Sequence, residues 1–239
     1  MKDVIIIPTY NEKESIQTIV PLVFRLLPDI TVVVADDNSP DGTGMIVLGM
    51  QKQYPNLSLI SRKQKDGLGK AYINAFREVL KDKGVRAIIM MDADFTAQLK
   101  FLPEMMTKSK DYSVVIGSRY VSGSKILGWQ LWRKVLSFSG NFYCRIILRM
   151  PIRDYTCGFN VISADLLRKV DLSKMDASGY AFILELKYIL YKVGATFFEV
   201  PITFVDRVGG ESKISSHIIS EGVFAPWKMI FGKNNHEKR

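Results

Sequence analysis

Cysteine and histidine are nearly absent from the 239-residue chain: Cys144, Cys157, His217 and His236 are the whole complement. Two cysteines, with no Cys-x-x-Cys and no histidine nearby, argue against a disulfide framework and a zinc site and suit a reducing compartment. Both histidines lie near the carboxyl end, which disfavours a histidine general base. Long apolar runs are missing as well. No uncharged stretch exceeds ten residues, against the roughly 20 apolar residues of a membrane-spanning helix. Met1-Lys2-Asp3 leads straight into an apolar run without signal-peptide architecture. The expectation is a chain that is soluble or lies on a membrane without crossing it. Acidic residues are the minority, 24 against 33 Lys plus Arg, giving a formal charge of +9 and a pI near 9.4. That surplus points to an anionic partner: a phosphorylated small molecule, an acidic membrane face or nucleic acid. Nucleic acid is disfavoured, because the basic residues are not interleaved with aromatics in any recognised module.

What is present is ordinary globular composition, 47% apolar and 24% charged, which excludes wholesale disorder. Short Val- and Ile-rich runs at Val4–Ile7, Ile30–Ala35, Leu57–Ile60, Ala87–Met91 and Val114–Gly117 read as buried strands. Helical spacing fills Glu14–Leu27, Thr43–Gln53, Leu68–Lys81 and Phe101–Lys108, with Pro21 expected to kink or divide the first. Such alternation predicts an α/β fold with a mostly parallel sheet covered on both faces. Its ligand crevice would lie at the carboxyl ends of the strands. After about Tyr120 a Trp- and Arg-bearing helix, Leu131–Met150, breaks the alternation.

Chemistry-bearing residues collect at those strand ends. The first strand finishes in Pro8-Thr9-Tyr10-Asn11-Glu12, the second in Ala35-Asp36-Asp37-Asn38-Ser39-Pro40-Asp41-Gly42-Thr43, and the fourth in Met91-Asp92-Ala93-Asp94. Carboxylates at i and i+2 of an extended chain point to one side, so Asp92 and Asp94 are expected to converge on one hard cation, Mg2+ or Mn2+, shared with substrate phosphates. Asp37 suits hydrogen bonds to a ribose or base edge, or a simple turn. Asp66-Gly67-Leu68-Gly69-Lys70 is not a phosphate loop: Gln64 stands where that motif needs its first Gly, and Tyr72 where the dinucleotide motif needs its last. A close-packed turn opening a helix is the safer expectation.

A second group is cationic: Arg119 after a strand, Arg133 with Ser137 on the Trp-bearing helix, and Arg207 and Lys213 around Gly209-Gly210. Arg grips phosphate as a planar fork and Lys as a point charge, so these could hold a diphosphate opposite the acidic strand ends, with the glycine pair giving a loop that closes.

Together these segments resemble the dolichol- or polyprenol-phosphate mannose synthases, with Pro-Thr-Tyr-Asn-Glu at 8–12, Asp-Asp-x-Ser-Pro-Asp-Gly-Thr at 36–43, Gly-Leu-Gly-x-Ala-Tyr at 67–72, Asp-Ala-Asp at 92–94, Gly-Ser-Arg-Tyr at 117–120, Trp-x-x-Trp-Arg at 129–133, Gly-Tyr-Ala-Phe at 179–182 and Asp-Arg-x-x-Gly-x-Ser-Lys at 206–213. The resemblance implies an A-type nucleotide-sugar glycosyltransferase fold over residues 1–213, followed by an amphipathic basic segment at 214–239. It implies transfer of mannose from GDP-mannose to a dolichol or polyprenol phosphate with Mg2+ or Mn2+. By position, Pro8, Tyr10, Glu12, Ala35 and Asp37 would cradle the guanosine, and Asp92, Ala93 and Asp94 would meet the diphosphate and metal. Arg119, Arg207 and Lys213 would lie on phosphates, and Arg133 and Ser137 on the acceptor phosphate. The family usually carries Ser or Gln two residues after Asp94; Thr96 stands here and keeps an oxygen for the metal, directly or through water. A UDP-sugar donor and a non-catalytic lipid-phosphate or nucleotide binder are the rival expectations.

A phosphate acceptor needs no general base, because its second pKa is about 6 and it is largely dianionic at neutral pH. The chemistry reduces to orienting that oxyanion for one in-line, inverting displacement and stabilising the departing diphosphate. Leu131–Met150 and the segment after Lys213 mix apolar residues with Lys and Arg at helical spacing. Both could lie in the headgroup plane on the cytoplasmic face of a membrane, or pack on the core. A membrane-anchoring subunit is a further expected partner.

Overall fold

In the computed structural model, residues 1–175, 179–205 and 216–231 are described, without the side chains of 179–180 and 216–221. Four βα repeats and a fifth strand open the chain: β1 (Lys2–Thr9), α1 (Lys13–Leu26), β2 (Thr31–Asp36), α2 (Thr43–Met50), β3 (Leu57–Ser61), α3 (Leu68–Val79), β4 (Val85–Met90), α4 (Leu102–Lys108) and β5 (Val114–Ser118). They follow the apolar runs, because a strand covered on both faces needs a continuous rather than an alternating apolar sequence. The core confirms this: Val4 to Ile7, Val32 to Ala35 and Ala87 to Met90 are all buried. Then come β6 (Lys125–Leu127), α5 (Leu131–Leu148), β7 (Asn160–Ser163), α6 (Ala164–Arg168), α7 (Gly179–Lys192), β8 (Phe197–Pro201), β9 (Thr203–Val205) and α8 (Ser216–Phe231).

The main sheet has the order β3-β2-β1-β4-β7-β5-β8. All its pairings are parallel except those of β7, which runs antiparallel between β4 and β5. The carboxyl ends of β1, β2, β4 and β5 therefore share one edge, and β7 delivers the segment just before it, Asp154–Phe159, to that edge. A two-stranded sheet, β6 with β9, stands beside it.

Several elements differ from expectation. Pro21 neither divides nor ends α1; the carbonyl it leaves without a donor belongs to Gln17, an exposed position where water can serve. The extended stretch from Phe197 to Val205 forms two strands. It splits at Ile202, whose N–H donates to the Ser118 carbonyl at 3.0 Å, so β8 and β9 join different sheets. Residues 95–101 form a 3-10 helix ahead of α4.

Gly117 on β5 is where the chain packs most tightly. A Cβ there would lie 2.8 Å from Phe159 Cδ1 and 3.2 Å from Ile202 Cγ2, both buried side chains without a free end to swing aside. Gly117→Ala is expected to cost about 1–3 kcal/mol by overpacking, seen as a lower urea midpoint at unchanged slope.

Candidate active site

The edge of β1 and β2 is built by short polar bonds between two loops. Register places Pro8 beside Ala35 and Thr9 beside Asp36. Asp36 is the structural member of the acidic pair: it accepts from Thr9 Oγ1 at 2.8 Å, Ser39 N at 2.9 Å and Ser39 Oγ at 2.5 Å. Asn11 takes a left-handed φ of 58°, and its N–H reaches Ser39 Oγ at 3.0 Å. Glu12 N donates to Thr43 Oγ1 at 3.1 Å. In these linked loops Tyr10 is exposed, Glu12 half-buried and Asp37 buried.

Asp37 is buried and receives the Arg62 guanidinium, which also lies 3.6 Å from Asp66. Burial pushes the Asp37 carboxyl up in pKa, Arg62 opposes it, and the net shift is upward. Lys65 Nζ stands 3.8 Å from the centroid of the Tyr10 ring. The β3–α3 loop thus supplies two cations, Arg62 and Lys65, that sequence reasoning missed. Their signal, a basic cluster between a strand and the Gly67 turn, resembles any solvated loop. Gly67 itself has φ 94° and opens α3 as expected.

At β4 the acidic motif is not extended. Phe95 N donates to the Asp92 carbonyl at 3.2 Å and Asp94 sits at φ −93°, ψ 5°, so Asp92–Phe95 is a tight turn entering the 3-10 helix. The i, i+2 argument for convergence fails there, because it requires a pleated chain. The two carboxylates stand instead on either side of Ala93 within this turn. Both are half-buried, Ala93 between them is buried, and Thr96 lies one turn on. Gly158 crowds this end, since a Cβ there would lie 3.6 Å from Asp92 Oδ2. Among the described residues no group of three or more His, Cys, Asp or Glu could hold a metal by itself. Two carboxylates fit a hard cation that takes its remaining oxygens from substrate phosphate and water.

Arg119, expected on phosphate, is held on one side of its guanidinium by the protein itself. Nε and Nη2 donate to the two oxygens of Asp154 at 2.8 and 2.7 Å, Nη2 also to Thr156 Oγ1 at 2.7 Å, and the backbone N to Asp154 at 2.9 Å. The pair is buried, with side-chain exposures of 8% and 0%. Lys187 on α7, also buried, donates to the carbonyls of Asp154 and Cys157 at 2.9 and 3.0 Å. Arg119 is thus a brace for the 154–158 turn. Cys157 is buried there with its thiol pushed up to about 11, mainly by burial, which agrees with packing and excludes a ready thiolate.

On α5, Arg133 stacks over Trp129 at 4.4 Å, and Ser137 Oγ accepts from Tyr120 O–H at 2.6 Å. Arg133, Ser137 and buried Asn141 follow one another every fourth residue on the inner face of α5, where Asn141 Oδ1 accepts from Tyr155 N at 2.7 Å. The outer face carries Leu131, Val135, Phe138, Phe142 and Ile146, all exposed. Exposed Val223, Phe224, Trp227, Ile230 and Phe231 on α8 extend it. Tyr143 ties the two helices, donating to the Val223 carbonyl at 2.9 Å and accepting from Trp227 Nε1 at 2.7 Å. Arg207 and Lys213 lie outside the described residues.

The glycosyl transferase family 2 model matches residues 4–171. The chain belongs to that family. It is therefore an enzyme, with the family's α/β architecture and a mostly parallel central sheet. It is 40% identical to the undecaprenyl-phosphate mannosyltransferase of Micrococcus luteus over 223 residues, 93% of this chain and 91% of that one. It is 37% identical to the polyprenol monophosphomannose synthase of Mycolicibacterium smegmatis over 234 residues, 95% and 86% of the two chains. These relatives agree with the motif resemblance. Glucosyl-3-phosphoglycerate synthase from Mycobacterium tuberculosis, solved with Mn2+, UDP and phosphoglyceric acid, superposes with a TM-score of 0.67 at 14% identity over 98% of this chain and 80% of that one. At that identity the likeness concerns the fold.

The Arg119–Asp154 pair generates a stability prediction. Burial pushes the Asp154 carboxyl up in pKa, and Arg119 more than offsets this, so the net shift is down. The stabilisation is present above the unfolded value of about 3.9 and lost as pH falls through the lower folded value. Arg119→Ala strands a buried charge and is expected to lose about 3–5 kcal/mol at pH 7. Denaturation across pH should show the deficit narrowing on acidification, as the stranded carboxyl takes up a proton first in the variant.

Proposed function

We propose that this family 2 glycosyltransferase moves mannose from GDP-mannose to a dolichol or polyprenol monophosphate, with inversion and a divalent cation, at the cytoplasmic face of a membrane. One observation carries the reading. The helix α5 turns Arg133 and Ser137 inward and a stripe of exposed apolar side chains outward. An acceptor with a phosphate head on a hydrocarbon chain needs such a junction of cation and grease. The two relatives at 37–40% identity act, by name, on undecaprenyl phosphate and as a polyprenol monophosphomannose synthase. Among the described residues no helix is long and apolar enough to cross a membrane. Contact through the α5–α8 face therefore accounts better for the exposed aromatics, and an anchoring subunit could sit on the same face.

In this reading Pro8, Tyr10, Glu12, Ala35 and Asp37 receive the nucleoside, with Arg62 and Lys65 added to them. Asp92 and Asp94, with Thr96 beside them, would hold the cation, whose charge offsets that of the departing diphosphate. Arg133 and Ser137 hold the acceptor phosphate so that one oxygen faces the anomeric carbon. That oxygen is already anionic, so no side chain has to remove a proton. Arg207 and Lys213 are proposed on the donor phosphates. Arg119 acts one step removed, by fixing the turn that backs Asp92.

The donor is tested by thermal shift of the protein with GDP, UDP and their sugars, with and without Mn2+, in wild type and Asp94→Asn. Binding to the folded state raises the melting point by mass action. GDP-mannose with Mn2+ is expected to give the largest rise, and Asp94→Asn to lose most of it. A larger rise with UDP-glucose would transfer the reading to a UDP-sugar donor; equal responses in Asp94→Asn would remove the metal role.

A further inference from the structure

The two aspartates at the end of β2 stand side by side and are used in opposite ways. Both are buried. Asp36 is saturated: Thr9 Oγ1 and Ser39 Oγ donate to its Oδ1, and Ser39 N donates to its Oδ2. Asp37 has its backbone tied, its N–H donating to the Thr9 carbonyl at 3.0 Å, but its side chain is only half used. Arg62 Nη1 donates to Oδ1, and among the described residues no hydrogen bond is made to Oδ2.

Arg62 is itself held from behind. Its backbone N–H donates to the Asp36 carbonyl at 2.8 Å, and its Nη2 lies 3.6 Å from Asp66, whose Oδ1 accepts from Gln64 Nε2 at 2.9 Å. Asn38 Nδ2 reaches the Lys63 carbonyl at 3.4 Å, a second tie between the two loops. The ion pair is shielded, with side-chain exposures of 11% for Arg62 and 6% for Asp37. A buried carboxylate with an oxygen to spare is costly, and a cation that grips only the other oxygen leaves that cost in place. An acceptor kept open in this way suits a donor from outside the chain. A nucleoside brings such donors in its ribose hydroxyls and base N–H groups.

We propose that Arg62 is a positioning residue of the nucleoside site: it holds Asp37 by Oδ1 and so leaves Oδ2 fixed as the acceptor for a ribose hydroxyl or base N–H. The inference rests on the nucleoside reading of Asp37. Of the two cations that the β3–α3 loop adds there, Arg62 thus acts through the carboxylate. Its charge has a second effect. Burial and the neighbouring charges of Asp36 and Asp66 push the Asp37 carboxyl up, and of the groups facing it Arg62 is the one that pushes it down. Without Arg62 the carboxyl takes up its proton at a higher pH, and a protonated Asp37 is a poorer acceptor.

The test is GDP affinity by calorimetry without metal, between about pH 5.5 and 7.5, on the full chain. Each variant is compared with wild type at the same pH, so that titration of the nucleotide cancels. Arg62→Met is expected to weaken GDP by about tenfold at the upper pH, and the deficit to widen on acidification, by at most about tenfold per pH unit. Arg62→Lys keeps the charge but not the fork, and its deficit is expected to be smaller and to change little with pH. Asp37→Asn should lose at least as much affinity as Arg62→Met at the upper pH. The double variant Arg62→Met with Asp37→Asn buries no unpaired charge, so it serves even where Arg62→Met alone fails to fold. There the arginine change is expected to add less than about twofold to the loss in Asp37→Asn. Unchanged affinity in Arg62→Met, or a deficit equal at every pH, overturns the inference, since lost packing would give the latter. A large further loss in the double variant overturns it too, because Arg62 would then act on the ligand itself. In each of these cases a loss in Asp37→Asn leaves the nucleoside reading standing. GDP affinity unchanged in Asp37→Asn removes that reading and this inference with it.

Discussion

One buried carboxylate braces the catalytic end of the sheet. Asp154 takes five donors: three from Arg119, and the backbone N–H groups of Thr156 and Cys157 at 3.3 and 3.0 Å. Lys187 clamps the carbonyls on either side of the turn, and Glu199 on β8 accepts the Asp154 N–H at 2.9 Å. Such a cluster is costly to bury and strongly destabilising to break, which suits geometry more than net stability. What it holds is the 154–158 segment, whose Gly158 stands against Asp92. Through that contact the antiparallel strand β7, placed between β4 and β5, fixes the back wall of the acidic turn.

The second organising feature is that α5 changes character along its length. Its inward face carries Arg133, Ser137 and Asn141 and then Cys144 and Leu148, which join the core, while Leu131, Val135, Phe138, Phe142 and Ile146 stay exposed. A helix ordinarily buries its apolar stripe; the first part of this one is held to the body by hydrogen bonds and the Arg133–Trp129 stack and leaves a second apolar stripe exposed. The Tyr143 bridge to α8 enlarges the exposed surface into one face. Polar chemistry inside and hydrocarbon outside, on one helix, is the arrangement an amphiphilic acceptor demands.

Much of this was legible in the chain. Four of the first five strands are Val- and Ile-rich runs, β3 being the exception, and the acidic and turn-rich segments after β1, β2 and β4 follow directly on such runs. Arg133 and Ser137 are four apart on a helical pattern, and their shared face followed. Other features were illegible for definite reasons. Arg119 looks the same whether it faces phosphate or an aspartate 35 residues away, since local spacing carries no information about a long-range buried partner. The short β7 run gives no sign of its direction. The Asp92–Phe95 turn replaced an assumed extended strand because the sheet ends at Met90. Arg62 on Asp37 and Lys65 on Tyr10 came from a loop whose composition matches any solvated turn.

The central claim is that the acceptor oxygen belongs to a lipid monophosphate and needs no base. It is tested most directly by mannosyl transfer from GDP-mannose to polyprenyl phosphate in vesicles, with non-phosphorylated polyprenol as the control, across pH 5 to 8. Transfer to the phosphate alone, rising as pH passes about 6 where the acceptor becomes dianionic, is the expected result. Comparable transfer to the free polyprenol, or release of mannose to water at the same rate without lipid product, would contradict it.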